Sequence, residues 1–179
     1  MEAVHRVDGK QVGGINTALG AGRPLLVRGD PGIGKSQLAR AAAAGLKRRF
    51  VSHVVDARSE PRDLLWRLDA VARLADAQVA GTGGREAGEV GKVRDPREPL
   101  HYTVPGVLWW AMNWTDAACQ ARRAQVEPPV QTEQLPESAG CVALIDEIDK
   151  GETDVPNGLL EALGSGRFQP PGRSGPVVA

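Results

Sequence analysis

The sequence predicts an α/β fold in which a parallel sheet lies between two layers of helices. Two stretches of the chain carry this prediction. An apolar run at residues 24–28 is followed by a glycine-rich loop and then by an Ala-rich segment that favours a helix. A second apolar run at residues 141–145 ends in two acidic residues. Apolar strands of this kind are typical of parallel sheets covered on both faces, so we expect one domain over residues 1–179.

The glycine-rich loop reads GDPGIGKS, which matches the phosphate-binding pattern G-x-x-x-x-G-K-S. Glycine has no Cβ, so backbone N–H groups can converge on phosphate oxygens at the N-terminus of the next helix. Lys35 is expected to reach the β- and γ-phosphates, and the Ser36 hydroxyl to ligate Mg²⁺. The alternative is a glycine turn before an ordinary helix. The residues assigned to nucleotide binding are Gly29, Asp30, Pro31, Gly32, Ile33, Gly34, Lys35 and Ser36.

The second apolar run, CVALI, ends in Asp146 and Glu147. The carboxyl end of a central parallel strand opens into the ligand crevice of an α/β sheet. Asp146 is therefore expected to bind the nucleotide's Mg²⁺, directly or through water. Glu147, like Lys35, is assigned a catalytic role, as the base that polarises a water for attack on the γ-phosphate. The alternative is a strand that ends at an acidic helix cap. Together with the glycine loop, the pattern predicts a three-layer P-loop NTPase core that uses ATP and Mg²⁺.

The region between the two motifs predicts further elements. A β-branched run at residues 50–55 predicts a strand, in which His53 is expected to be structural. Residues 60–78 have apolar positions at helical spacing and predict one amphipathic helix with a core-facing side. Residues 105–121 predict a helix with Trp110 and Trp114 on one face, where core or inter-subunit packing is favoured over base stacking. Residues 166–172 predict a hairpin or loop.

The composition excludes several classes of protein. Lys and Arg number 22 and Asp and Glu number 22, so the formal net charge is zero. This balance does not indicate a nucleic-acid partner or a membrane surface, and we find no signal peptide or membrane span. Cys119 and Cys141 are expected to be small buried side chains in a reducing compartment. We therefore expect a cytoplasmic protein.

The segments DEIDK at 146–150 and DVPNGLLEAL at 154–163 resemble the Walker B segment and following helix of MoxR-type AAA+ ATPases. Residues 63–71 and 105–111 resemble segments of the same group, and the resemblance runs from about residue 24 to the end. It implies ATP hydrolysis by a homo-oligomeric ring of subunits. It also implies that the ring remodels a client protein, often one with a von Willebrand A domain.

The AAA+ layout also implies elements that the sequence does not supply. A strand carrying a polar sensor residue inserts between the strand before the glycine loop and the strand that ends at Asp146. Only Val177 and Val178 can begin that strand, and an arginine finger and a helical lid would follow it. We therefore expect a C-terminally incomplete domain without the lid: a gene fragment, a partial reading frame or half of a split enzyme.

Two other functions remain open alongside an ATPase. One is a truncated, non-catalytic fragment that binds nucleotide or a partner without turnover. The other is a small-molecule P-loop kinase. Asp-Glu at the strand end favours hydrolysis over phosphoryl transfer to a small molecule, and the sequence has no kinase-type lid.

Overall fold

The computed structural model describes residues 7–81, 94–136, 138–151 and 154–179. The helices are α1 (Gly9–Ala21), α2 (Lys35–Gly45), α3 (Ala70–Gly81), α4 (Val107–Met112), α5 (Trp114–Arg123) and α6 (Asp154–Ser165). The strands are β1 (Arg49–Val54), β2 (Trp66–Leu68), β3 (Thr103–Pro105), β4 (Cys141–Asp146), β5 (Arg167–Phe168) and β6 (Val177–Val178). Within these described ranges, no helix is long and apolar enough to cross a membrane.

The centre of the fold is a parallel pair of strands, β1 and β4. Its register runs from Arg49 opposite Cys141 to Val54 opposite Asp146. The strands form at the two runs from which they were predicted, and helices α2 and α4 pack against them. Two short antiparallel pairs, β2 with β3 and β5 with β6, accompany this pair. The mixed α/β architecture with a parallel sheet confirms the predicted fold class and is consistent with a P-loop NTPase core.

The hydrophobic core joins the central strands to α4 and to the β5–β6 hairpin. Trp109 of α4 is fully buried, and its ring meets the Phe168 ring edge to face at 5.5 Å between centroids. Val177 of β6 is buried in the same cluster. Trp110 is also buried, and the centroid of its ring lies 4.8 Å from that of the Trp114 ring. The core-packing role predicted for these tryptophans is therefore confirmed.

The tryptophan segment forms two helices where one was predicted. Asn113 separates α4 from α5, and its backbone is extended. Its side-chain Oδ1 accepts a hydrogen bond from the N–H of Asp116 at 3.0 Å, which makes Asn113 the N-cap of α5. Asn is among the residues that favour this position, so the local cap outweighs the continuous helical pattern.

The strand predicted at residues 24–28 does not form. These residues make no ladder with any residue in the part of the chain that the structure describes. β4 uses one edge to pair with β1, and Val177–Val178, expected to begin the intervening strand, pair with β5 instead. An apolar segment without a neighbouring strand cannot complete ladder hydrogen bonds, and Leu26 stays 63% exposed.

The single amphipathic helix predicted at residues 60–78 is also wrong. A 3₁₀ turn at Pro61–Leu64 leads into β2, which pairs with β3, and only then does α3 begin. Asp69 caps the start of α3, because its Oδ1 accepts from the N–H of Ala72 at 2.9 Å. The predicted core-facing side is divided, because Leu64 of the 3₁₀ turn is fully buried whereas Val71 of α3 is 81% exposed.

The two cysteines differ from each other and in part from the prediction. Cys119 is exposed on α5, so its predicted burial is wrong. Cys141 lies half-buried at the start of β4, where burial raises the pKa of its thiol to about 12 although Arg49 opposes the shift. Cys141 is therefore a neutral thiol at physiological pH.

Candidate functional site

The glycine-rich loop leads directly into α2. Gly32 and Gly34 have φ angles of 79° and 92°, which L-residues with a Cβ rarely adopt. Gly34 is the N-cap of α2, and no side chain caps the first turn of this helix. The first N–H groups of α2 therefore keep the orientation that binds anions at helix N-termini.

Lys35 folds back over the loop that precedes it. Its Nζ donates to the carbonyl oxygens of Gly29 and Asp30, each at 2.8 Å. The ammonium is thus held above the loop backbone, on an exposed side of the molecule. A Cβ built on Gly32 would meet no atom within 4 Å, so the space above this part of the loop is open.

Ser36 connects the loop to the end of the central strand. Its hydroxyl donates to Asp146 Oδ2 at 2.6 Å, across 110 residues of sequence. The contact exists because α2 packs against β4 and starts beside the carboxyl end of that strand. A hydroxyl and a carboxylate oxygen are the ligand types that Mg²⁺ prefers, so these two residues fit a magnesium–phosphate group at the loop.

Glu147 occupies a strained turn just after β4. Its φ and ψ of 56° and 35° lie in the left-handed region, which costs a non-glycine residue on the order of 1 kcal/mol. Its N–H donates to Asp146 Oδ1 at 3.0 Å. Its side chain forms an ion pair with Lys150, with 2.7 Å between Oε2 and Nζ. This hydrogen bond raises the pKa of Lys150.

The structure brings some of the predicted residues together and leaves others apart. Ser36 and Asp146 are in contact, and Lys35 lies over the loop. Glu147 is turned toward Lys150 instead of the loop. Lys150 has no role predicted from the sequence, although the three-residue spacing from an acid to a base is a recognisable signal for this ion pair.

A second unassigned group lies on the neighbouring strand. Nε2 of His53, on β1, is buried and has no hydrogen-bond partner among the described residues. His53 stands opposite Ile145, one position before the residue that faces Asp146. The prediction that His53 is structural remains a prediction.

Comparison with known proteins identifies one family. The model of the AAA domain, dynein-related subfamily, matches residues 24–179. This range includes the glycine loop, both central strands and the turn that carries Glu147. Neither a curated protein nor a solved structure matches the chain.

Proposed function

Because the chain belongs to the AAA domain family, in its dynein-related subfamily, we propose that it binds ATP with Mg²⁺ at the glycine loop and hydrolyses it. The family as a whole consists of nucleotide-binding ATPases. The site residues are those assigned from the sequence: the loop from Gly29 to Ser36, with Asp146 and Glu147 at the end of β4. The observation that most supports this proposal is the 2.6 Å contact between Ser36 and Asp146, because it brings the loop next to the end of β4.

Each residue has a distinct role in this proposal. The loop N–H groups hold the phosphate oxygens, and Lys35 exchanges the carbonyls of Gly29 and Asp30 for the β- and γ-phosphates. Ser36 and Asp146 would hold the Mg²⁺, which would neutralise charge on the phosphates. Glu147 takes the proton of the attacking water, for which its carboxylate must leave Lys150.

The finer part of the proposal concerns the assembly. We infer a single domain over residues 1–179 that acts in a cytoplasmic homo-oligomeric ring and remodels a client protein, such as one with a von Willebrand A domain. This inference rests on the resemblance of residues 146–163, 63–71 and 105–111 to MoxR-type AAA+ ATPases.

A second candidate function is nucleotide binding without turnover. The ion pair between Glu147 and Lys150 favours it, because the Glu147 carboxylate is held by Lys150 and is turned away from the loop. Binding and phosphate release separate the two candidates. An ATPase shows both, whereas a binding module shows only binding.

Substitution of Lys35 tests nucleotide binding. Lys35→Ala removes the point charge from the loop, so the affinity for a fluorescent ATP analogue is expected to fall by at least about tenfold. Lys47→Gly is the matched control, because it also removes an exposed lysine and its φ of 51° suits glycine. Unchanged affinity in a folded Lys35→Ala variant would exclude the site.

A further inference from the structure

Among the described residues, β1 pairs only with β4, and no strand pairs with its outer edge. In a parallel pair, the backbone groups of successive residues point alternately toward the neighbouring strand and away from it. The N–H of Val55 donates to the carbonyl of Asp146 at 2.9 Å, so the odd-numbered residues of β1 face β4. Phe50, Ser52 and Val54 therefore direct their N–H and C=O groups to the opposite side.

A side chain closes this edge at Phe50. Gln131 Oε1 accepts from the N–H of Phe50 at 2.9 Å, and Gln131 Nε2 donates to the carbonyl of Phe50 at 3.1 Å. The carboxamide thus makes the two bonds that a paired residue of another strand would make. Ser52 and Val54 have no such partner in the described part of the chain. Within the described ranges, Phe50 is therefore the only outward-facing residue of β1 whose backbone groups are both hydrogen-bonded.

A groove runs beside Ser52, the first of the two uncovered residues. It has a volume of about 530 Å³ and is lined by residues 50–53 of β1, by Val104 and Pro105 of β3 and by residues 129 and 130. Val130 is 96% exposed and gives the groove an apolar contact surface. A strand added to a sheet lies about 4.8 Å from its neighbour, so an extended peptide is the ligand shape that matches this place.

The charges of the groove favour an acidic ligand. Arg40 of α2 lines it and lies 4.6 Å from the centroid of the Phe50 ring, and Arg67 of β2 lines it as well. Neither arginine takes part in an ion pair between described residues. The acidic Asp63 also lines the groove, and its Oδ2 accepts from the N–H of Glu60 at 2.9 Å. The two arginines outnumber this carboxylate, so the lining keeps a positive net charge.

We propose that the open edge of β1 binds an extended acidic peptide segment of a partner protein by strand addition. The backbone groups of Ser52 and Val54 supply the hydrogen bonds, which give affinity without regard to sequence. Arg40 and Arg67 select an Asp or Glu side chain of the incoming segment. None of these residues belongs to the proposed nucleotide site, so peptide binding at this surface is a second function of the domain, separate from nucleotide binding.

Peptide binding to the 179-residue chain tests the proposal. The probe is a short fluorescein-labelled peptide of alternating Val and Glu, and fluorescence anisotropy gives its affinity. One control peptide has Lys in place of Glu. A second is the Val–Glu peptide with N-methyl groups on the amides that would face β1. We expect the unmodified Val–Glu peptide to bind at least about tenfold more tightly than either control.

Substitutions in the chain locate the binding. Arg67→Glu is expected to weaken binding of the Val–Glu peptide by at least about tenfold, because it places a like charge in the groove. Arg97→Glu is the matched control, since Arg97 is exposed and lies outside the groove. Lys35→Ala is expected to leave peptide affinity unchanged, so this proposal and the proposed ATP site can fail independently.

Amide hydrogen exchange provides the second readout. The amides of Ser52 and Val54 are expected to exchange quickly in the free chain and slowly with the peptide bound. The amide of Val51, which faces β4, is expected to exchange slowly in both states. Equal affinity for the Glu and Lys peptides, undiminished binding of the methylated peptide, or no binding of the Val–Glu peptide at millimolar concentration would each overturn the proposal.

Discussion

At the scale of single residues, the side chain of Glu147 is proposed to activate a water, but in the structure it forms an ion pair with Lys150. Glu147→Gln keeps the shape of the side chain but removes its ability to take a proton from water. We expect nucleotide affinity to persist and phosphate release to disappear. Asp146→Asn, by contrast, is expected to weaken Mg²⁺-dependent binding, since it removes a charge next to Ser36. Binding of a fluorescent ATP analogue and an assay of released phosphate measure both effects.

Hydrolysis by Glu147→Gln at the parent rate would show that another group activates the water. The variant Glu133→Gln is a suitable comparison, because Glu133 is exposed and no described contact involves it. Its binding and phosphate release are expected to match those of the parent chain.

The carboxylate of Asp116 accepts hydrogen bonds from two other parts of the fold. Arg173 donates to both of its oxygens at 2.7 and 2.8 Å, and Trp109 Nε1 donates to Oδ2 at 2.7 Å. Burial raises the pKa of Asp116, but these hydrogen bonds outweigh it and hold the pKa below its usual value. These contacts join α5 to α4 and to the loop between β5 and β6.

The lowered pKa of Asp116 predicts a specific acid sensitivity. Its contribution to stability is complete above the unfolded-state pKa, about 3.9, and is lost as the pH falls through the lower folded-state value. Asp116→Asn is therefore expected to reduce the free energy of unfolding at neutral pH and to flatten its dependence on pH below about 4. Urea unfolding at a series of pH values measures this, with Glu133→Gln as control. An unchanged slope in Asp116→Asn would contradict the assignment.

At the scale of elements, Gly106 is the N-cap of α4 and packs closely against a neighbouring backbone segment. A Cβ at Gly106 would lie 2.6 Å from backbone atoms of Asp63 and Leu64. Gly106→Ala is therefore expected to lower the free energy of unfolding by about 1–3 kcal/mol, because backbone must move. Gly164→Ala is the matched control within α6, where a Cβ meets no atom within 4 Å. It is expected to add about 0.5–1 kcal/mol. Thermal or urea unfolding of both variants decides the comparison.

The elements that the sequence predicted are those that a local pattern determines. β4 follows an apolar run and β1 follows a run rich in β-branched and apolar residues, so each could be predicted from its own sequence. Their parallel pairing joins strands that are separated by residues 55–140. β2 was missed because its partner β3 lies about 35 residues away, and no local signal encodes that pairing. The break at Asn113 was missed although Asn followed by a helical run is a cap signal.

The candidate site was predictable to a similar degree. The loop and the Asp146–Glu147 pair are contiguous motifs, and the contact of Ser36 with Asp146 follows from their positions at the end of a parallel strand. The orientation of Glu147 toward Lys150 depends on a left-handed backbone at a non-glycine residue. Such a conformation depends on tertiary context, so it could not be predicted from the local sequence.

At the scale of the whole molecule, exposed apolar segments near unpaired strand edges predict self-association. Leu26 lies in an extended apolar segment that no described strand covers. Leu26→Lys is expected to reduce aggregation of the 179-residue chain at micromolar concentration, because an edge lysine opposes pairing between chains. Val71→Lys removes an exposed apolar side chain from a helix, which offers no edge, and is expected to have a smaller effect. Light scattering during heating compares them, and equal effects would show that edges are not responsible.

The hydrogen bond between Ser36 and Asp146 also has a consequence for the order of synthesis. The two residues are separated by 110 positions in the chain. At a translation rate of roughly 5–20 residues per second, about 5 to 20 seconds pass between the appearance of one and of the other. A ribosome-bound nascent chain thus carries a glycine loop with no acidic counterpart during that interval. Under the proposed function, tight retention of ATP with Mg²⁺ begins only after β4 has left the exit tunnel.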